Sequence, residues 1–343
     1  SVRSDLELAT WGFSRQYPRF LYPGSSERDP EKDAISGLSE TLDGASPLSW
    51  QRTAGAIRKW APDTVLIPAW TFAVAPALGW VARQLRSAGA AIVMVVHNAF
   101  DHEAAAWKDR LMMWQLGAAD RFVTHNKALA KELSRRFPGT PVQVFPHPVF
   151  NDVPQATGAL PRRADLELLF FGLVRPYKGL DVLVDAISQM PGDRIALTVA
   201  GEFWQGLEET QLQIAGLENP DCIELIPRYV SDAETAELFH RADALVLPYR
   251  SVTGSGVVSL ALHYQRAVIA SELPGFTELI RDGETGWLFP PGDATRLAKT
   301  IDGLDEVATK RAGEAAGALG KHLTWDRFAR VALGEDVAAG VLA

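Results

Sequence analysis

Cysteine is nearly absent: Cys222 is the single one among 343 residues. An internal disulfide is excluded, and a reducing compartment is the expectation. Cys222 sits in the apolar stretch DCIELI and reads as a small buried residue rather than a nucleophile. No apolar run approaches the roughly 18–20 residues that a membrane-spanning helix needs. No secretory signal is visible, which makes the expected location cytoplasmic. Low-complexity tracts, short repeats and heptad runs are also missing.

Chemistry-bearing motifs are missing too. There is no Walker loop, and no Gly-x-Gly-x-x-Gly follows an apolar run, which argues against nucleotide hydrolysis and dinucleotide chemistry. The GSG at 254–256 has the wrong spacing for a Gly-x-Ser-x-Gly nucleophile elbow. No Asp-x-Asp is present, so the usual acidic clamp for a divalent metal on a nucleotide sugar is lacking. His97 and His102 in VVHNAFDHE do not form a zincin pattern, and no metal or other cofactor is expected.

Net charge is −8, unevenly spread: +3 over residues 1–150 and −11 over the rest. A nucleic-acid partner is therefore not expected. A mildly basic first half suits an anionic membrane or a phosphate-bearing substrate, and an ordinary solvated surface explains it equally well.

What is present alternates. Short apolar runs, each followed by a helical pattern, recur along the chain. In the first half they are 5–13, 64–70, 91–97, 121–125 and 142–145, with helices over 73–87, 103–117 and 127–137. In the second half they are 166–172, 195–201, 222–226, 244–249 and 267–271, with helices over 179–189, 207–214, 232–241 and 257–264. Runs rich in Val, Ile and Leu without alternation fit parallel sheets covered on both faces. The fold class is therefore α/β, doubly wound. Proline-rich HPVFNDVPQATGALPRRAD (147–165) breaks the pattern and reads as a linker between two Rossmann-like domains facing a cleft.

Three second-half stretches carry the chemistry. In FFGLVRPYKGLDVLVDAI a strand ends at Gly172, a loop carries Arg175 and Lys178, and Gly179 opens a helix. Two cations between a strand end and a helix start suit phosphate; the alternative is a solvated loop. In TGSGVVSLALHYQRAVIAS, the residues Thr253, Gly254, Ser255, Gly256 and Val257 join a strand to a helix, where free N–H groups attract an anion. The alternative is an ordinary turn with Ser255 as a cap. Together the two loops bracket a diphosphate. In SELPGFTELIRDGETGWLFPPGD, Glu278 follows a Pro-Gly-Phe turn near a helix start, able to accept from ribose or sugar hydroxyls or to serve only as a helix-start carboxylate. In the first half His97 ends its strand and is the better histidine candidate; His125 and His147 also end strands, with His147 at the linker. WKDRLMMWQL (107–116) aligns Trp107, Leu111 and Trp114 with Lys108 and Arg110 nearby, which suits a membrane surface or, in preference, a packed core helix.

With these residues in view, the chain resembles glycosyltransferase family 4, of the GT-B fold. The three stretches above carry the likeness, with RADALVLPYR, VVHNAFDHE, the linker PHPV and the closing LTWDRFARVA. FSRQYPRFLYPG (13–24) is similar to a subgroup of bacterial members. The resemblance implies a retaining, metal-independent hexosyltransferase that moves a sugar from a nucleotide-diphosphate sugar to a glycan, lipid-linked or small-molecule hydroxyl. It implies an acceptor-binding domain over 1–148, a linker over 149–165, a nucleotide-sugar-binding domain over 166–322, and a last helix over 323–343 that crosses back. Arg175, Lys178 and the amides of Gly254–Gly256 would neutralise the departing diphosphate. His97 matches the family's histidine near sugar and acceptor, and Glu278 the carboxylate of its Gly-Gly-x-x-Glu-like turn.

Departures from the family pattern qualify that expectation. Its Glu-x7-Glu pair falls on Val252 or Thr253 and on Leu260, so two carboxylates for sugar and ribose are replaced. Leu173 stands where an arginine is common, with Arg175 as its substitute. The first strand, glycine-rich loop and first helix are expected upstream of Ser1. These departures keep open a second class, a glycosyltransferase-like binding or scaffold protein without turnover, and a third, another GT-B enzyme such as an epimerase or phosphorylase. Peripheral contact with the inner membrane face is a secondary expectation.

Overall fold

A computed structural model describes residues 5–16, 37–97, 106–150, 152–190, 194–252 and 254–335. Among these the chain divides into two compact units. The first comprises Ser1–Pro146 and Asp326–Gly340, and the second is His147–Trp325.

In the first unit, β1 (Thr10–Arg15) and β2 (Leu38–Asp43) form a two-stranded parallel sheet. Then come α1 (Pro47–Trp60), β3 (Thr64–Ala69), α2 (Ala75–Ser87), β4 (Ala91–Val96), α3 (Ala106–Leu116), β5 (Arg121–Thr124), α4 (Lys127–Arg136) and β6 (Val142–Val144). Strands β3-β4-β5-β6 lie in that order in a four-stranded parallel sheet. Ile92, Met94 and Val96 of β4 are fully buried, as continuous apolar strands under helices require. The strand expected over 5–13 starts later and differs in kind. Thr10, Ser14 and Arg15 are exposed, while Trp11 and Phe13 pack on the core from one side. Its alternation marks a half-exposed edge ribbon rather than a core strand.

The second unit runs β7 (Leu166–Phe171), α5 (Leu180–Ser188), β8 (Ile195–Ala200), α6 (Leu207–Ala215), β9 (Ile223–Ile226), α7 (Asp232–Arg241), β10 (Ala244–Leu247), α8 (Gly256–His263), β11 (Ala267–Ser271), α9 (Pro274–Thr277), β12 (Gly286–Phe289), α10 (Ala294–Asp302) and α11 (Glu306–Gly320). Its six parallel strands are ordered β12-β11-β10-β7-β8-β9. That is the doubly wound dinucleotide-fold order, and it reverses between β7 and β10. Every residue of β8, β10 and β11 is buried. Burying each such Val, Leu or Ile contributes about 1.5–3 kcal/mol. The stretch 152–165 forms neither helix nor strand.

The last helix, α12 (Trp325–Leu333), packs Phe328 against His125 and Phe145, and Arg121 Nη1 donates to Ala332 O at 3.2 Å. Among the described residues no helix is long and apolar enough to cross a membrane.

Candidate functional site

The reversal in strand order fixes where the second unit can hold a ligand. Neighbouring strands there lead their chains away in opposite directions, leaving a crevice at their carboxyl ends. The loops leaving β7 and β10 flank it. They are the loop with Gly172, Arg175 and Lys178, and the loop with Gly254, Ser255 and Gly256.

After β7 the backbone turns at Gly172, with φ of +95°. Val174 then pairs with the loop after β8: its N–H donates to Glu202 O at 2.8 Å, and Trp204 N–H returns to Val174 O at 3.3 Å. This pairing lays the Arg175 guanidinium over the Trp204 indole, with Cζ 3.8 Å from the ring centroid. Pro176–Lys178 form a single 3-10 turn, ended by Gly179 with φ of +66°. A Cβ at Gly179 would run into Pro248 O, so glycine is required twice, for its dihedral and for the close approach of the β10 exit. Arg250 ties the same turn down. Its Nη1 donates to Pro176 O at 3.0 Å and to Asp181 Oδ1 at 2.8 Å, and its N–H to Tyr177 O at 2.7 Å. The Arg250 hydrogen bonds hold the Asp181 carboxyl below its ordinary range.

Lys178 points inward and is only 7% exposed. Its Nζ lies 5.5 Å from the centroid of buried Tyr249. A Cβ on Gly172 would stand 3.5 Å from both Lys178 Nζ and Val257 Cγ2, so these three residues meet. Burial, and secondarily the neighbouring Arg175 charge, push the Lys178 pKa down to about 8. No carboxylate among the described residues pairs with Lys178 or Arg175, and Arg175 Nε is buried without a hydrogen-bond partner. Two cations held close together without a counter-charge are costly, and an anion between them removes the cost.

Helix α8 starts at Gly256, one residue earlier than expected, with Ser255 in the N-cap position. The Ser255 side chain makes no capping bond, so the first N–H groups of α8 are not satisfied by it. Tyr249, whose hydroxyl points toward Ser255 without good bonding geometry, has its pKa raised by burial. Thr253 lies outside the described residues. Val252 packs its Cγ1 over Gly275, which links this loop to the turn after β11. Glu278 is half-buried and caps the carboxyl end of the single-turn helix α9. The expected helix-start position is therefore corrected: Pro274 starts the helix and Glu278 ends it, where a negative charge gains nothing from the helix dipole.

Beside the β7 and β8 ends lies an open cavity of about 260 Å³. Gly172, Leu173, Glu202, Tyr229, Asp232 and Leu260 are among its lining residues. Trp204, Tyr249 and Glu202 were missed in the sequence, because only the β7–β8 and β7–β10 pairings bring them to the cation loop.

In the first unit, His97 follows β4 as expected, and its N–H donates to Ala69 O at 2.9 Å. Its Nδ1 lies 2.9 Å from His125 Nε2, and His125 Nδ1 lies 3.0 Å from Phe145 O. His102 lies outside the described residues. His147 belongs to the second unit, with Nδ1 2.8 Å from Pro148 O and its pKa lowered by burial. On α3, Trp107 is 54% exposed and Trp114 packs on Gly79 of α2 beneath Arg83. Leu111 packs against the core. The preferred reading of this helix, a packed core helix, holds for Leu111, whereas Trp114 stays 39% exposed.

Residues 165–306 match the family model described as Glycosyl transferases group 1, and residues 14–152 that described as Glycosyltransferase Family 4. The chain is 28% identical over 233 residues to GDP-mannose:glycolipid 4-beta-D-mannosyltransferase of Xanthomonas campestris pv. campestris, covering 68% of this chain and 64% of that protein. It is 30% identical over 236 residues to D-inositol 3-phosphate glycosyltransferase of Streptomyces bingchenggensis, covering 62% of this chain and 52% of that protein. The chain thus spans less than two thirds of the length of these curated relatives. Among solved structures, Anabaena Alr3699/HepE in complex with UDP-glucose superposes with a TM-score of 0.70 at 17% identity, covering 87% of this chain and 85% of that one. That likeness establishes the GT-B fold with two Rossmann-like domains. With both halves matched, the chain belongs to the group 1 and family 4 glycosyltransferases.

Proposed function

We propose that the protein transfers a sugar from a nucleotide-diphosphate sugar to an acceptor hydroxyl, with retention and without a metal. The observation that carries this reading is the pair Arg175 and Lys178 at the strand-order reversal of the second unit, with no counter-charge among the described residues. A diphosphate bound there meets the two cations on one side and the N–H groups of Gly254–Gly256, at the start of α8, on the other. As the sugar leaves, negative charge grows on the β-phosphate, and fixed positive groups lower that barrier. Metal independence follows from the same residues, since the cations do the neutralising. A nucleoside suits the adjoining cavity, where Glu202 and Asp232 offer acceptors for ribose hydroxyls that Leu260 cannot provide. Glu278 accepts from sugar hydroxyls, and His97 serves the sugar and acceptor side.

The relatives support the substrate class. One is named for a GDP-mannose donor and a glycolipid acceptor, another for D-inositol 3-phosphate, and Alr3699/HepE was solved with UDP-glucose. The acceptor class spans glycans, lipid-linked sugars and small molecules. Peripheral membrane contact through exposed Trp107 accompanies a lipid-linked acceptor, and co-sedimentation with anionic liposomes tests it.

Titration of UDP and GDP against the protein and its Arg175→Ala, Lys178→Ala double variant tests the donor site. Loss of two charge-assisted contacts should cost on the order of 3 kcal/mol, over a hundredfold in affinity. Equal binding by both would refute the phosphate assignment. Mass spectrometry of products from a panel of nucleotide sugars tests turnover. A second reading, binding without turnover, is favoured by Val252 packing on Gly275 and Leu260 lining the cavity where the family carries carboxylates. Nucleotide binding with no transfer or hydrolysis for any sugar would favour it.

A further inference from the structure

Tyr249 follows the end of β10 by two residues and is only 2% exposed. Its ring is held from several sides of the second unit. Tyr177 meets it edge-on at 5.9 Å and 88°, Phe276 at 5.3 Å and 64°, and Lys178 Nζ stands 5.5 Å from its centroid. Tyr177 and Lys178 belong to the cation loop and Phe276 to α9, so the ring position is fixed by both. The hydroxyl at its tip is buried and has no hydrogen-bond partner among the described residues. It faces the Ser255 side chain without bonding geometry. Ser255 is half-buried, stands in the N-cap position of α8 and makes no capping bond. Val257, in the first turn of α8, meets Lys178 beside Gly172. Tyr249 thus lies where the cation loop and the start of α8 come together.

We propose that Tyr249 is a positioning residue for the diphosphate: with nucleotide bound, its hydroxyl donates to Ser255 Oγ, and Ser255 donates its own hydrogen to a phosphate oxygen. A buried hydroxyl without a partner is costly and uncommon, and the fold supplies this one with none. The direction of the relay follows from the chemistry of its ends. An ionised phosphate oxygen only accepts, so Ser255 must give it its single hydrogen. Ser255 can then only accept from Tyr249, and Tyr249 must donate. Burial raises the Tyr249 pKa, so the phenol keeps that hydrogen at neutral pH. A serine engaged in this way does not cap α8, and the first N–H groups of the helix stay available to the same anion.

This role rests on the reading of the crevice as the donor site. The fold itself makes neither bond of the relay, so the Tyr249 hydroxyl contributes to nucleotide binding and not to folding. A tyrosine kept for structure would show the reverse.

Calorimetric titration of UDP or GDP against Tyr249→Phe, Ser255→Ala and the double variant tests the relay, with urea denaturation alongside. Tyr249→Phe keeps the ring contacts and removes only the hydroxyl. It should bind about three- to tenfold more weakly, and Ser255→Ala about tenfold or more. The double variant should bind no more weakly than Ser255→Ala, because Tyr249 acts only through Ser255. The urea midpoint of Tyr249→Phe should equal or exceed that of the parent. Parent-like affinity in Tyr249→Phe, or additive losses in the double variant, overturns the proposal. A lowered midpoint, or a Tyr249→Phe protein that does not fold, means that the hydroxyl is already bonded without nucleotide, and overturns it as well. The Arg175→Ala, Lys178→Ala variant keeps this role apart from the donor-site reading. If that variant loses binding while Tyr249→Phe does not, the role of Tyr249 alone fails. If it binds as the parent does, the donor site lies elsewhere and both fall.

Discussion

The Arg175 guanidinium lies over the Trp204 indole, with Cζ 3.8 Å from the ring centroid. Phosphate-binding arginines need a fixed plane, and the indole supplies one from the next strand's exit loop. Trp204→Ala should weaken UDP or GDP binding by about 0.5–2 kcal/mol, roughly 2- to 30-fold. Trp204→Phe should fall between variant and parent. Calorimetric titration checks both, and parent-like affinity in Trp204→Ala would show that the stacking does not orient Arg175 for phosphate.

Lys178 gives the nucleotide affinity a pH signature. Burial beside Arg175 pulls its pKa down to about 8 in the free protein. A bound diphosphate favours the charged form and raises that pKa, so binding takes up a proton once the pH exceeds about 8. Affinity should be flat below that value and fall by up to about tenfold per pH unit above it. The same depressed pKa means that the folded protein carries the penalty of a buried charge below about pH 8. That penalty is relieved as pH rises from about 8 toward the ordinary lysine value. Lys178→Met should flatten the affinity profile. A slope that persists in Lys178→Met belongs to another group.

The Arg250–Asp181 pair should matter for binding far more than for stability. Both side chains are about half exposed, at 45% and 53%, so the pair contributes less than about 1 kcal/mol to folding. Its Asp181 pKa is depressed by the Arg250 hydrogen bonds. That small contribution is complete above the ordinary aspartate value and fades as pH falls through the lowered one. Arg250 nevertheless holds the turn that presents Lys178. Arg250→Ala should leave the urea midpoint nearly unchanged while reducing nucleotide affinity several-fold. Parallel urea and nucleotide titrations distinguish this from a purely structural pair, which would shift neither or both.

Gly179→Ala should destabilise the second unit. The substitution forces φ of +66° on an alanine and drives its Cβ into Pro248 O. The loss should be about 1–3 kcal/mol or more. Urea denaturation followed by circular dichroism measures it, and an unshifted midpoint would contradict the required close approach of β10.

The parts legible in the sequence are those whose physics is local. Strands β7, β8, β10 and β11 are buried on both faces, so each reads as an unbroken apolar run. The turn at Gly179 and the cations before it are contiguous, so their grouping was visible too. Strand β2, LSETLD, is largely exposed and polar, and left no such run. Strand β12 is four residues long and sits within a stretch dense in turn signals. Helix α1 leaves little trace in the sequence because its buried face is only Thr53, Ala54 and Ile57. Side chains that meet only through sheet order were out of reach. Trp204 joins Arg175 because Val174 pairs with the loop after β8, and His125 joins His97 because β4 and β5 are neighbours in register. The sequence puts Glu278 near a helix start because a single helical turn such as Pro274–Thr277 is too short to show a periodicity.

The central claim is that the crevice between the β7 and β10 exits holds a diphosphate. A crystal structure of the protein soaked with UDP or GDP tests it most directly. The prediction is phosphate density within hydrogen-bond reach of Arg175 and Lys178, and of the N–H groups of Gly254–Gly256. Nucleotide density elsewhere, with this crevice empty or filled by side chains, would contradict it.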